Sequence, residues 1–241
     1  MEAKTLLLSI ENDPVFDSIL GLTWYPWVGG NYSSARRRVL IVGETHYNIG
    51  EKAEQANEIT IGDKDTTRHV VRVYPLTHSY HNKMYENLHL CLFKTKEFDR
   101  EKVWSNIAFY NFIQRPMNYN GKPWQKERPN GNEYQKGWAV FMEVVKILRP
   151  TDCLFVGVTA ANIFNDCAKL YGWNYNGVQK QQVEKSRCGA RHFSISIDGY
   201  NLNCIAIQHT SHHFSWNAWH SYLMKANSEM MEFLNELSVR T

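Results

Sequence analysis

No stretch of the chain approaches the roughly 18 consecutive apolar residues that a membrane-spanning helix requires, and no Cys-x-x-Cys pair occurs. The five cysteines, Cys91, Cys153, Cys167, Cys188 and Cys204, are odd in number and widely scattered. That speaks against a disulfide framework, a structural zinc or an iron–sulfur cluster, and it fits a reducing cytoplasm. The only apolar stretch near the start, residues 6–10, is too short for a secretory core and runs into Glu11 and Asp13. No Gly-x-Ser-x-Gly elbow is present, which argues against a serine hydrolase. No internal repeat is visible. Neither sign of charge dominates: Lys+Arg 27 against Asp+Glu 24 leaves +3, which permits a nucleic-acid partner without requiring one.

What is present suits a packed core. The 241 residues are 43% hydrophobic, 21% charged and 13% aromatic, and the length predicts one domain, residues 1–241, carrying a large insertion. Four β-rich apolar runs stand out, at residues 38–43, 103–110, 152–157 and 203–208. Near-continuous hydrophobicity predicts strands covered on both faces, as in a parallel sheet. A fifth run, 192–197, pairs with the last through an Asp198-Gly199 turn.

Helical spacing appears between these runs. Trp138, Phe141, Met142, Val145 and Leu148 form one stripe, stopped by Arg149-Pro150. Ala161, Phe164, Ala168 and Tyr171 form another, with Thr159 as its N-cap. Trp219, Leu223, Ala226, Met230, Phe233 and Leu237 predict a C-terminal helix. Residues 48–70 and 117–133 read as loops, and 48–102 as an insertion with a helix around 82–93. The pattern is an α/β fold: a three-layer α/β/α sandwich with a central, mainly parallel, four-stranded sheet.

In such folds ligands bind beyond the carboxyl ends of the strands. The polar residues cluster there: Gly43-Glu44-Thr45-His46-Tyr47 after the first run, and His209-Thr210-Ser211-His212-His213 after the fourth. Four motifs in order carry a resemblance. VLIVGETHY (39–47), WSNIAFYNFIQRPM (104–117), LRPTDCLFVGVTAANIF (148–164) and QHTSHHF (208–214) together resemble the uracil-DNA glycosylase superfamily over most of the chain. The resemblance implies a monofunctional DNA glycosylase, a hydrolase of the N-glycosidic bond. Such an enzyme flips a nucleotide out of the duplex, removes an altered base and leaves an abasic site. The partner is DNA; no membrane, obligatory protein partner, cofactor or metal is implied.

Residue by residue, the resemblance makes His209 the donor to a base carbonyl in the transition state. It makes Asn106, an amide in an apolar run, the reader of the base edge, with a buried amide bonded to backbone as the alternative. Tyr47 becomes a wall of the pocket, with ordinary packing as the alternative, and His46 stands beside it where family members carry proline. Thr45 replaces their water-activating aspartate. Glu44, one residue earlier, therefore becomes the group that positions water or steadies the cationic sugar, with Thr45 secondary; a salt-bridged Glu44 is the alternative. Ser211 keeps the residue type that contacts a DNA phosphate, while Thr210 and His212 replace prolines. His213 or Phe214 takes the place of the side chain that intercalates; Phe214 is either that wedge or a buried ring.

Other features have plainer readings. His209, His212, His213 and His220 lack the spacing of a zinc helix. Arg36-Arg37-Arg38 is a solvated face or a phosphate contact. Tyr74, Tyr80 and Tyr85, with His78 and His81, offer rings to line a groove, where stacking contributes about 1–3 kcal/mol per base. No lysine adjoins the motifs, which disfavours lyase chemistry. The departures at Thr45 and His46, with the insertion, fit a reshaped pocket. They suggest a bulky modified pyrimidine, as in hypermodified virus DNA, and hence antiviral defence; uracil or a deaminated purine remains open. The rival reading is a catalytically idle module of the same fold that binds DNA or a modified base.

Overall fold

Val39, Leu40, Ile41 and Val42 are all fully buried, yet they belong to two different cores. Side chains alternate across a strand, so Leu40 and Val42 face one helical layer while Val39 and Ile41 face the other. The computed structural model describes residues 7–48, 63–118, 127–211 and 213–240. Among these the strands are β1 (Trp27–Val28), β2 (Val39–Gly43), β3 (Tyr47–Asn48), β4 (Ala108–Asn111), β5 (Met117–Asn118), β6 (Asp152–Val156), β7 (Asn174–Gln181), β8 (Ala190–Ile197) and β9 (Tyr200–Ile207). The main sheet has seven strands in the order β1-β4-β2-β6-β9-β8-β7. The expected four-stranded, mainly parallel sheet is corrected to this mixed sheet; the α/β class stands.

The four expected runs lie contiguously as β4-β2-β6-β9, all parallel. Antiparallel strands extend both edges: β1 beside β4, and the β8–β7 pair beyond β9. The β8–β9 hairpin turns at Asp198-Gly199, both with positive φ, as the Asp-Gly pair predicts. β7 escapes the sequence pattern because it is an edge strand with mostly polar, exposed residues.

The first layer holds α5 (Gly131–Leu148), α6 (Thr159–Asn162) and α7 (Phe164–Tyr171), following α1 (Asp13–Phe16) in the chain. Trp138, Phe141, Val145 and Phe164 pack there against Leu40, Val42 and Phe155. A reciprocal capping box between Asn130 and Glu133 starts α5, a device that contributes about 1 kcal/mol. Val158, not Thr159, is the cap residue of α6.

The opposite layer holds α2 (Thr66–Val71), followed by a π-helical turn (Arg72–Leu76), α3 (Lys83–Phe93), α4 (Arg100–Trp104), α8 (Trp216–Ala226) and α9 (Ser228–Ser238). Leu88, Leu92, Trp219, Leu223, Met230 and Leu234 pack there against Val39, Ile41 and Leu154. The expected single C-terminal helix is two helices. Asn227 breaks it, capping α9 through the Met230 amide and donating to Asp152. Of the run 103–110, only Ala108 onward is strand, because Asp99 caps a helix that uses Val103 and Trp104. Within the insertion the expected helix is α3, with Asn82 as its N-cap. No helix of the described residues is long and apolar enough to cross a membrane.

Candidate functional site at the carboxyl ends of the parallel strands

Because β4 and β6 lie on opposite sides of β2, the chain leaves β2 at a topological switch point, where open α/β sheets form a crevice. The crevice here is lined by Gly43, Glu44, Phe112, Tyr134, Gly157 and Thr159, among others. Its free volume of about 10 Å³ is room for about one water.

The backbone holds the rim rigidly. Beyond the β2–β4 ladder, Phe112 N–H donates to Gly43 O (3.0 Å), Ile113 N–H to Glu44 O (2.8 Å) and Met117 N–H to His46 O (2.9 Å). The two chains then pair again as β3 and β5, with Tyr47 opposite Met117. Glu44 is thereby aimed into the crevice, its side chain 14% exposed. Its Oε1 accepts from the Tyr134 hydroxyl at 2.7 Å, and its Oε2 lies 3.8 Å from the Arg128 guanidinium. Tyr134, on α5, escaped the sequence reading. Burial first, then the Glu44 carboxylate, pushes its hydroxyl well above the usual tyrosine range. Burial, followed by Glu44, also raises the pKa of Tyr47, which is half-buried against the first core. Tyr47 therefore stands near Glu44 but is not among the residues that line the crevice.

Thr45 takes a structural place: its hydroxyl donates to Arg115 O at 2.7 Å. Arg115, the arginine of the expected Arg-Pro pair, is held by Glu127 and Glu133.

Asn106, expected to read a base edge, does not stand at the carboxyl rim. Asn106 precedes β4 at its amino end, and its Nδ2 donates to Lys102 O at 2.8 Å, closing the end of α4. Asn111, five residues on, lies beside Gly43 at the carboxyl end. Asn106 and Asn111 thus stand at opposite ends of β4. Asn111 is 4% exposed and its Nδ2 donates to His46 Nε2 at 2.8 Å. Its Oδ1 lies 2.4 Å from where a β-carbon on residue 43 would stand. The strand ends in glycine because a side chain there would collide with this amide. The signal was available: an asparagine ending an apolar strand, one residue before the Phe-Ile-Gln-Arg-Pro loop.

His46 is buried behind Asn111, not exposed to a ligand. Its ring meets Thr67 Oγ1 at 3.0 Å and sits edge-on to Trp24 at 4.7 Å. Burial pulls its pKa from 6.5 down to about 3, so it is a neutral acceptor that fixes the Asn111 amide.

On the other side of the crevice, the His209 ring approaches Gly157; a β-carbon there would meet its Cδ2 at 3.9 Å. Ser211 N–H donates to His209 Nδ1 at 3.2 Å, and the Ser211 hydroxyl lies 2.9 Å from the same atom. A neutral imidazole that accepts at Nδ1 carries its proton on Nε2. The loop is anchored by the insertion. The Thr210 hydroxyl donates to Met84 O (2.8 Å), and Asn87 Nδ2 donates to Thr210 O (2.6 Å).

The remaining expectations divide. His213 is exposed with φ +51°. Phe214 is half-buried and stacks on Trp219 with rings 6.1 Å apart and 5° from parallel, so it is a packed ring rather than a wedge. His212 lies outside the described residues, as do residues 49–62 and 119–126 of the expected loops. Arg36, Arg37 and Arg38 pair within the protein, with Glu236, with Asp152 and Glu229, and with Arg149 O. Tyr85 is buried and stacks with Tyr74 (6.3 Å, 14°), so these rings pack on each other. A larger groove of about 400 Å³ lies near the amino ends of β6 and β9. Its Arg37, Asp152 and Glu229 bond to one another, so size favours that groove and chemistry the crevice.

Compared with protein-family models and with curated proteins, the chain matches none. The fold and site thus define an α/β protein with a carboxylate, a buried amide and an imidazole gathered at the carboxyl ends of parallel strands.

Proposed function

We propose that the protein is a DNA glycosylase that removes an altered base by hydrolysis of its N-glycosidic bond. The observation that carries this reading is that Glu44 lines the crevice while Asn111 and His209 stand against two of its glycines, Gly43 and Gly157, at the carboxyl ends of three separate strands. The glycosylase-like version of the α/β fold belongs to the same proposal.

Each group has a task the chemistry needs. Departure of the base takes the bonding electron pair and leaves an oxocarbenium-like sugar, by analogy with glycoside hydrolysis. The Glu44 carboxylate faces that positive charge and orients a water, whose oxygen bonds to the sugar carbon as its proton passes to the carboxylate or solvent. The crevice beside Glu44 has room for that one water. His209, its proton on Nε2, donates to the base oxygen as negative charge develops. Asn111 offers Oδ1 to the base edge, held at the correct angle by His46. Tyr47 bounds the pocket, and exposed His213 is the side chain placed to enter the duplex. Ser211 holds His209 and stands nearest a phosphate.

Both Glu44 oxygens already face a partner, Tyr134 and Arg128, and this favours the rival reading of a non-catalytic binding module. One experiment separates them. The wild type is incubated with DNAs carrying uracil, deaminated purines or hypermodified pyrimidines, including virus genomes, and released bases are identified by mass. Release by the wild type, reduced about 10²–10³-fold in Glu44→Gln with DNA binding retained, supports the enzyme. Binding without release on any of these DNAs overturns it in favour of the module.

A further inference from the structure

Outside the crevice, His78, His81 and Glu86 bring one ligand atom each within 4.8 Å of one another. We propose that they form a binding site for a divalent metal ion of the zinc class, which clamps the loop before α3 onto that helix. The proposal does not rest on the glycosylase reading.

Three observations carry it. The first is His78 itself, a non-glycine residue with φ +54°. Left-handed backbone at such a residue carries strain that surrounding structure must hold. The second is what that backbone achieves: His78 Nε2 is buried without a hydrogen-bond partner, and it points at Glu86 Oε1 from 3.9 Å. An ordinary ion pair explains His81, whose Nδ1 lies 2.9 Å from the same oxygen; it does not explain a second imidazole held there just out of reach. The ligands of a tetrahedral ion bonded at about 2.0–2.1 Å stand roughly 3.4 Å apart, between the two distances seen. The third is support behind the carboxylate. Lys96 Nζ holds Glu86 Oε2 at 2.6 Å, the kind of outer contact that orients a metal-bound carboxylate.

The donor set names the ion. Two imidazoles and one carboxylate suit zinc, with cobalt, nickel and copper as substitutes. His81 is 87% exposed, so water or an exogenous ligand completes the coordination. The clamp also reaches the crevice. Glu86 lies between Met84 and Asn87, whose carbonyl and amide hold Thr210 beside His209. Sequence reading treated His78 and His81 as groove-lining rings because Glu86 falls inside a helix, out of register with any simple motif.

The test uses the full chain without an affinity tag, stripped of metal by a chelator. Zinc is titrated by calorimetry and cobalt by its visible absorption. The proposal expects one ion per chain, a cobalt spectrum of a site with nitrogen ligands, and a melting temperature raised by about 5 °C at saturating zinc. His78→Ala, His81→Ala and Glu86→Gln should each weaken binding about tenfold or more, while His192→Gln, a histidine bonded to Tyr222 elsewhere, should leave it unchanged. His81→Ala alters only an exposed side chain, so its fold is retained. Absence of stoichiometric uptake, loss confined to His81→Ala, or equal binding by all three variants overturns the site.

Discussion

The two ends of the parallel strands hold their polar groups in different ways. At the amino rim, Asp152 is 1% exposed and its oxygens take four side-chain donors: Arg37 Nε (2.9 Å) and Nη2 (3.0 Å), the Thr151 hydroxyl (2.8 Å) and Asn227 Nδ2 (2.8 Å). Asn106 spends its amide on the end of a helix. At the carboxyl rim, Asn111 is 4% exposed and bonds through Nδ2 to His46 Nε2, with its Oδ1 packed against Gly43. Buried polar groups are normally bonded, and the four donors on Asp152 make the amino rim a cross-link between strand, loop and helix.

Breaking the amino rim should therefore cost stability and nothing else. Asp152→Ala leaves the Arg37 guanidinium, only 20% exposed, without its main partner. Removing one partner of a largely buried pair costs about 3–5 kcal/mol, and Asn227 and Thr151 lose an acceptor as well. Urea denaturation should show that loss, with base release per folded molecule unchanged. A variant of normal stability would show that the network is ornamental and would undo the contrast.

The carboxyl rim instead answers to acid, through the group behind the amide. Burial holds His46 at about 3 against its ordinary 6.5, so the folded protein keeps the ring neutral. The unfolded chain takes up that proton below about pH 6.5, whereas the folded protein does so only near its own lowered value. The stabilisation is thus complete above about pH 6.5 and is lost as pH falls towards 3. At about 1.4 kcal/mol per pH step, roughly 2 kcal/mol is gone by pH 5. His46→Gln should lose less stability between pH 7.5 and pH 5 than the wild type, by about that amount. His89, also buried with a depressed pKa, contributes equally to both proteins and cancels. Identical pH profiles would mean that His46 is not held neutral behind Asn111.

How much of this was legible follows from which signals are local. The four parallel strands announced themselves because burial on both faces leaves no polar residue in Val39 to Val42 or in Cys153 to Val156. Helix α5 did so through its apolar stripe from Trp138 to Leu148, while its start at the Asn130 cap fell in a stretch that reads as loop. The edge strands were silent: β1 has two residues, and β7 has no apolar face. At the site, Glu44 and His209 were readable because each follows a strand end directly. Asn106 was taken from the resemblance as lying inside the run 103–110; a helix ending at Trp104 leaves it before the strand, whose carboxyl end holds Asn111 instead. Tyr134 could not be found by pattern, since its role depends on α5 crossing over Glu44, a tertiary fact with no trace in spacing.

The smallest expected effect tests that exchange of asparagines. Asn106 gives one hydrogen bond to the Lys102 carbonyl and a longer one, 3.3 Å, to the Ser105 hydroxyl. Asn106→Ala removes these where solvent is near enough to replace part of the interaction, so the loss is about 1 kcal/mol. Its direction is the informative part. Thermal unfolding should shift down by a few degrees, while the proposed base release keeps its wild-type rate, because Asn106 stands at the end of β4 away from the crevice. A rate that collapses while stability holds would return the reading amide to the amino end. The carboxyl rim, and with it the place assigned to Asn111 beside Gly43, would then be the wrong end of the sheet.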